Sequence, residues 1–313
     1  MGIGLVAGNR GVILRVNECY AVCAFNFSNL ETLRAIFLAA SDAFVPVILQ
    51  VTESALNFMG LDYVLSMVGV SSKEFPDLQF SLHLDHGKDF NICKKCIDAG
   101  FSSVMIDKSS CGFEENVAAT REVVDYANKF GVSVEGELGV LSGIEDDISV
   151  SAPGSFLTDP SFAARYIEET GVDSLAIAIG TVHGPYKGNN TPPKLDIPRL
   201  IEIKRQVGKD FPLVLHGASS VYPDLVSMCN QYGADIHGAY GISDSDLQSA
   251  VKCGINKVNI DTDLRLAYIA GLRQSMSQDP SSVDIRKHLG AAIEMMKKIA
   301  IRKIKLITKL EEC

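Results

Sequence analysis

The sequence predicts a single α/β domain, a (β/α)8 (TIM) barrel spanning residues 1–313. Three observations carry that expectation. Eight short apolar runs rich in β-branched residues recur at 20–27, 46–52, 79–86, 101–107, 132–138, 173–180, 212–217 and 255–261. Near-continuous apolar strands of this length belong to parallel sheets covered on both faces. Between them, segments such as LETLRAIFLAASDAF and EENVAATREVVDYANKFG space apolar residues three and four apart, as helices with one buried stripe do. Gly100, Gly131, Gly171 and Gly254 each stand just before the next strand, where a helix can stop on a left-handed residue. A doubly wound open sheet is the structural rival. It usually carries a glycine-rich dinucleotide turn after its first strand, and none follows here.

Composition narrows the function. With 47% hydrophobic and 21% charged residues, the chain can bury a large core and is not a disordered segment. Lys and Arg total 29 against 38 Asp and Glu, a net charge of −9. So acidic a chain is a poor partner for nucleic acid or an anionic membrane. Any positive charge needed by a phosphorylated substrate must be gathered locally. The 8 cysteines (Cys19, Cys23, Cys93, Cys96, Cys111, Cys229, Cys253 and Cys313) are scattered. Cys93-Lys-Lys-Cys96 has the spacing of a zinc knuckle or redox pair, but no second pair matches it, and it reads as a helix turn holding plain thiols. The start MGIGLVAGNRGVILRVNE lacks the pattern of a secretion signal, and Val6 stands where myristoylation needs Ser or Thr. No apolar run approaches the roughly 20 residues that span a bilayer. Reduced thiols in a cytoplasm are the simplest expectation.

No domain boundary stands out. The most irregular stretch, about 138–159, is rich in Gly, Ser and acid and reads as a surface loop or, after a barrel strand, an active-site lid. A second irregular stretch covers 186–196. The chain ends in a basic amphipathic helical extension, about 284–313, expected to dock on the barrel or on a neighbouring subunit.

Chemistry collects where strands end. Asp85 and His86 close the third run, Asp107 the fourth, and Glu135 and Glu137 the fifth; His183 follows the sixth, His216 closes the seventh, and Asn259, Asp261 and Asp263 close the eighth. Barrel enzymes build their sites at this C-terminal rim. A lone histidine at a strand end is ordinarily structural, but His86, His183 and His216 converge on one mouth. Three neutral imidazoles with open positions make a catalytic zinc site, and Asp107 and Glu137 are placed to orient them or to hold a second or displaced ion. His83, His237 and His288 read as structural. Gly184, the run Gly217-Ala218-Ser219-Ser220, and Asn259-Ile260-Asp261-Thr262 lie where barrels of this kind cradle phosphate with backbone N–H groups and hydroxyls.

In the segments HLDHG (83–87), EGELG (135–139), IGTVHGPYKG (179–188), VLHGASS (214–220) and NIDTDLR (259–265), the chain resembles the class II, metal-dependent fructose-bisphosphate aldolases. The likeness is collinear from about Tyr20 to the C-terminal helix. It implies a lyase of glycolysis and gluconeogenesis that reversibly cleaves fructose 1,6-bisphosphate to dihydroxyacetone phosphate and glyceraldehyde 3-phosphate. It implies catalytic Zn²⁺ on His86, His183 and His216, stabilising an enediolate, with Asp107 and Glu137 at a second or alternate metal position. Asp85 matches the acid/base acting on the C4 oxygen, and Glu145 the carboxylate that moves the C3 proton. Asn26, Thr52, Gly184, Gly217, Ala218, Ser219, Asn259, Ile260, Asp261 and Thr262 match substrate contacts. Gly184 and Gly217 also match residues near a monovalent cation, Na⁺ or K⁺. Arg265 matches a ligand of the second phosphate. Asp284 and Arg286 match residues that reach a neighbour's site, implying a homodimer or homotetramer.

The sequence departs from the family's usual pattern at Ala21-Val22-Cys23, at Lys108-Ser109-Ser110-Cys111-Gly112, and at Thr52-Glu53-Ser54-Ala55, where Thr52 keeps a hydroxyl. A metal-free aldolase would need a Schiff-base lysine, for which Lys108 and Lys257 are the nearest candidates; three convergent histidines favour the metal route. Tagatose bisphosphate, epimeric at C4, is the alternative substrate, and Asp261 favours fructose because tagatose-specific members typically carry Ala there. Two readings from other classes remain. A barrel metallohydrolase would show His-x-His after the first strand, where Phe25-Asn26-Phe27 stands, and a non-catalytic metal-binding or interaction protein would have lost Asp85 or the histidine set.

Overall fold

The computed structural model describes residues 8–13, 21–140, 143–145, 148–150, 157–184 and 192–308, with the side chains of 143–150 outside that description. Cys19, Cys313 and most of the 186–196 stretch therefore lie outside it. The described strands are β1 (Val22–Asn26), β2 (Val47–Thr52), β3 (Phe80–Gly87), β4 (Ser103–Ile106), β5 (Ser133–Leu138), β6 (Gly143–Glu145), β7 (Ile148–Val150), β8 (Ser174–Ile177), β9 (Leu213–Leu215) and β10 (Ile255–Ile260). Eight of them close into one parallel barrel in the order β1-β10-β9-β8-β5-β4-β3-β2, each next to its neighbour in sequence, with helices between. Each barrel strand overlaps one of the eight apolar runs. The sequence reading missed β6 and β7, which pair antiparallel within the expected lid, with Ile144 opposite Ser149. Gly, Ser and acid around this short hairpin mask its alternation.

Both strand faces are buried because helices cover the outside and side chains fill the inside, so the strands read as apolar runs without alternation. Several helices begin on side-chain caps that the sequence supplies: Asn29 accepts Thr32 N–H, Asp89 accepts Ile92 N–H, and Ser243 accepts Asp246 N–H. Gly131 and Gly171 close their helices in the left-handed conformation. The N-terminal helix Asn9–Ile13 plugs the bottom of the barrel: Val12 and Ile13 pack with Val22, Ala24 and Ile48, while Asn9 bonds Ser81 and His83.

The last two helices form an antiparallel hairpin. Helix Thr262–Gln278 leaves the C-terminal end of β10, and helix Ile285–Thr308 returns to the start of β1, where Ala21 N–H donates to Ile307 O. Gly271 packs on Ala291 and Ala292, and Ser275 bonds His288. The connecting turn, with Asp284, therefore projects beyond the C-terminal rim. Among the described residues no helix is long and apolar enough to cross a membrane. Cys93 and Cys96 are buried thiols on one helix, as read.

One glycine fixes the mouth. A Cβ on Gly87 would stand 2.5 Å from Met105 O and 2.9 Å from Cys93 Sγ, a close approach that lets β3 lie against β4. Gly87→Ala is expected to cost about 1–3 kcal/mol, the usual range for overpacking. A urea-unfolding midpoint identical to wild type would show that the wall yields.

Candidate active site

Asp85 and His86 are adjacent, and on a flat strand they would face opposite sides. β3 avoids this with a bulge. Leu84 pairs with Val104 but Gly87 with Ile106, so three steps of β3 match two of β4. His86 absorbs the extra residue with φ +47, in the left-handed region. The bulge aims both side chains into the mouth. There His86 Nε2 lies 2.9 Å from His216 Nδ1, and the His86 ring centroid is 5.3 Å from that of His183. One ring nitrogen from each of the three buried histidines falls within 4.8 Å of the others. A second group joins His86 to Asp107 and Glu137.

The carboxylates beneath decide what these nitrogens can do. Burial opposes ionisation of Glu135, but the Lys257 ammonium at 2.8 Å and the hydrogen bond from His216 outweigh it and hold the carboxyl well below its ordinary range. Glu135 Oε1 thus takes the Nε2–H of His216 at 2.9 Å and leaves His216 Nδ1 with a lone pair. Asp107 acts likewise: burial raises it, but the hydrogen bond from His86 and two Ser109 donors prevail and hold it low. It takes the Nδ1–H of His86 at 2.9 Å, leaving a lone pair on Nε2. These tautomers, assigned from their partners, set two lone pairs face to face at 2.9 Å. That contact is repulsive unless a cation or a proton lies between. A neutral three-imidazole donor set held by buried carboxylates is what a zinc ion takes, so the residues present fit that metal.

Asp85 is fully buried beside the cluster. Asn26 and Gln50 donate to Asp85 Oδ2 at 2.8 and 3.1 Å, and Asn259 donates to Oδ1 at 3.3 Å. Gln50 also donates to Asn26 Oδ1 at 2.6 Å, tying the amides together. The sequence reading missed Gln50 and gave Glu135 no role. Glu135 had a signal: it shares the inward face of EGEL with Glu137. Gln50, a single amide within an apolar run, had none beyond being polar in a strand. Lys257 is committed to Glu135 and lies 3.3 Å from His83, so its ammonium serves the buried network.

A narrow cleft beside the histidines is lined by Asn26, His183, Gly184, Gly217, Ala218, Ser219, Asn259, Asp261 and Thr262, all singled out in the sequence. Gly184 and Gly217 hold φ +74 and +61. A Cβ on Gly217 would meet Val182 O at 2.8 Å, so two loops touch backbone to backbone there. An adjoining cavity of about 390 Å³ shares Asn26 and Asp261 and adds Thr52, Arg265, Phe58 and Tyr268. Arg265 clasps Asp261 at 2.7 Å. The Thr52 hydroxyl accepts Ala55 N–H as a helix cap.

Three expectations fare differently. The Ile260 side chain lies in the core, which leaves only its backbone for a ligand. Asp284 and Arg286 pair with each other at 2.9 Å on the projecting turn, not with the residues of this mouth. The backbone of Glu145 falls on β6, and its side chain lies outside the description.

Comparison with known proteins agrees with this geometry. The family model described as fructose-bisphosphate aldolase class-II matches residues 16–235 and 236–311. The fructose-bisphosphate aldolase of Helicobacter pylori strain J99 is 45% identical over 303 residues, covering 97% of this chain and 98% of that one. That of Thermus caldophilus is 43% identical over 289 residues, covering 92% and 93%. Among solved structures, the YdjI aldolase of Escherichia coli K12 superposes with a TM-score of 0.76 at 29% identity, covering 97% of each chain. A putative fructose-1,6-biphosphate aldolase from Coccidioides immitis gives 0.78 at 26% identity, covering 96% of each.

The buried network has a pH signature. Burial, then Lys257, hold His83 well below the ordinary imidazole value, and burial lowers His216 against the opposing Glu135 bond. Below about pH 6.5 the unfolded chain binds protons on these imidazoles while the native state does not, so stability falls on acidification. Depressed Glu135 acts in the same direction at lower pH, as the unfolded carboxylate protonates. Each histidine takes up to about 1.4 kcal/mol of stability per pH unit in that window. Urea-unfolding midpoints should drop steadily from pH 7 to 5; a flat profile would contradict neutral buried imidazoles.

Proposed function

The chain belongs to the class II fructose-bisphosphate aldolase family, and we propose that it cleaves fructose 1,6-bisphosphate reversibly to dihydroxyacetone phosphate and glyceraldehyde 3-phosphate. The observation that carries this reading is the joining of two anion-suited clefts at Asn26 and Asp261, one running into the three-histidine cluster, the other opening beside Arg265. A bisphosphate needs two ends held and its middle carbons presented to the histidines.

The family is zinc-dependent, and His86, His183 and His216 would hold the ion here, with Asp107 and Glu137 as its alternate position. Zinc bound there supplies Lewis acidity toward the electrons released when the C3–C4 bond breaks. Asp85 takes the proton from the C4 hydroxyl in cleavage and returns it in condensation, its oxygens aimed by Asn26, Gln50 and Asn259. Asn259 Oδ1, buried and without a hydrogen-bond partner among the described residues, is an acceptor suited to a sugar hydroxyl. The loops at Gly184, Gly217–Ser219 and Asn259–Thr262 hold the dihydroxyacetone-phosphate end through backbone N–H groups and hydroxyls, and Arg265 takes the other phosphate. Glu145 is assigned the C3 proton on its position in the motif.

The same proposal includes a monovalent cation, Na⁺ or K⁺, near Gly184 and Gly217, supported by their paired left-handed backbones. It includes a homodimer or homotetramer in which the projecting turn reaches a neighbour. Val283 and Ile285 flank Asp284 on that turn with 98% and 63% of their surface exposed, which suits burial against a second copy. A cytoplasmic setting accords with the buried thiols of Cys23, Cys93, Cys96 and Cys229.

Cleavage measured in a coupled assay should disappear on full chelation and return with Zn²⁺; activity that survives metal removal sinks the metal route. Asp85→Ala should lower kcat by roughly 10²–10⁴-fold with zinc content unchanged, and wild-type turnover would remove Asp85 from proton transfer. Asp261→Ala should lose more on the fructose ester than on the tagatose ester, by about 1–3 kcal/mol in kcat/KM. Equal losses would count against Asp261 as the reader of C4.

A further inference from the structure

We propose that a buried ion pair behind the phosphate cradle, Lys303 with Asp263, is a positioning device that holds the Gly217–Ser219 loop in its anion-binding shape. The proposal rests on reading that loop as the cradle. It begins from a strained residue. Val221, two positions past Ser219, has φ +48, and a β-branched side chain is a genuine outlier in the left-handed region. Such a conformation is strained and persists only where its surroundings enforce it.

The enforcing group is Asp263. Its two oxygens accept Ser220 N–H at 2.9 Å and Val221 N–H at 2.7 Å, gripping successive amides of the turn. Asp263 follows β10 and is fully buried. A buried carboxylate is tolerated only with a partner, and Lys303 supplies it: Nζ lies 3.1 Å from Asp263 Oδ2 and also donates to Ser220 Oγ. Lys303 is itself fully buried, 4.9 Å from the centre of the Tyr222 ring. It sits on the apolar stripe of the last helix, among Met296, Ile299, Ala300, Ile304 and Ile307. A lysine there has no reason in packing alone.

Two consequences reach the ligand. The grip fixes Ser219, whose hydroxyl accepts Asp261 N–H at 3.3 Å and whose carbonyl accepts Ile242 N–H at 3.1 Å, so the cradle loop joins both neighbouring segments in one shape. The Lys303 charge also offsets a carboxylate that would otherwise stand behind an anion site. The last helix, far off in sequence, thereby helps to bind phosphate without touching it.

The test compares Lys303→Met/Asp263→Asn, which removes both buried charges together, with Lys303→Arg, which keeps the pair. Each is read by thermal melting, zinc content, steady-state kinetics and direct titration with dihydroxyacetone phosphate. In the double variant KM for the bisphosphate and Kd for dihydroxyacetone phosphate should rise about tenfold or more, with kcat within about threefold and zinc content unchanged. Lys303→Arg should stay within about twofold of wild type on both constants. As a check against a folding defect, Val221→Gly is added to Lys303→Met. Glycine takes the left-handed φ unaided, so affinity should recover in part, which a merely structural lysine would not allow. A folded double variant with wild-type KM and Kd overturns the positioning role, as does an absence of recovery by glycine. Wild-type protein that neither cleaves the bisphosphate nor binds dihydroxyacetone phosphate overturns the cradle itself, a distinct result.

Discussion

The carboxylate of Glu135, fully buried inside the barrel between Lys257 and His216, is the contact on which the site depends. A charge this deep is costly unless fully partnered, and the chain meets that cost with a continuous polar column. Asn9 in the basal plug bonds His83; His83 approaches Lys257; Lys257 holds Glu135; Glu135 holds His216; His216 faces His86, and His86 meets Asp107. Bottom closure and mouth chemistry are thus one connected system. The tautomer of His216 follows from an ion pair inside the barrel, not from anything at the rim.

The second constraint is local. Placing an acid and an imidazole from neighbouring positions on the same side requires the β3 bulge, with His86 at φ +47 and Gly87 pressed on Met105 O. A regular strand would have sent one of the two side chains outward among the helices. The bulge explains why Asp85 can sit among Asn26, Gln50 and Asn259 while His86, next in sequence, belongs to the histidine cluster. Backbone irregularity here is what makes the side-chain set possible.

The sequence carried the barrel because both-face burial writes itself as apolar runs, and it carried the rim because polar residues at the ends of such runs stand out. His86, His183, His216 and the cleft from Asn26 to Thr262 were legible for that reason. What stayed hidden depends on register and on distant packing. Gln50 looks like any strand residue until β1, β2 and β3 align Asn26 with Gln50 and Gln50 with His83. Lys303 looks like part of a basic helix face until that helix turns it inward onto Asp263. Ile260, read with its motif neighbours, points into the core because strand alternation separates it from Asn259 and Asp261. The β6–β7 hairpin was too short for periodicity to register.

Net charge −9 says little about the mouth, because its acids are of two kinds. Along β10 and its loop, each carboxylate faces a cation: Asp261 has Arg265 at 2.7 Å, and Asp263 has Lys303 at 3.1 Å. An anion arriving there meets amide N–H groups and neutralised acids. On the β3–β4 side, Asp85 and Asp107 are held by amides, hydroxyls and an imidazole, none of which carries a fixed positive charge. That half of the mouth attracts a cation, and the other half accepts an anion. A metal and a phosphate bound side by side each relieve what the protein leaves uncompensated on its own half, so each should favour the other's binding.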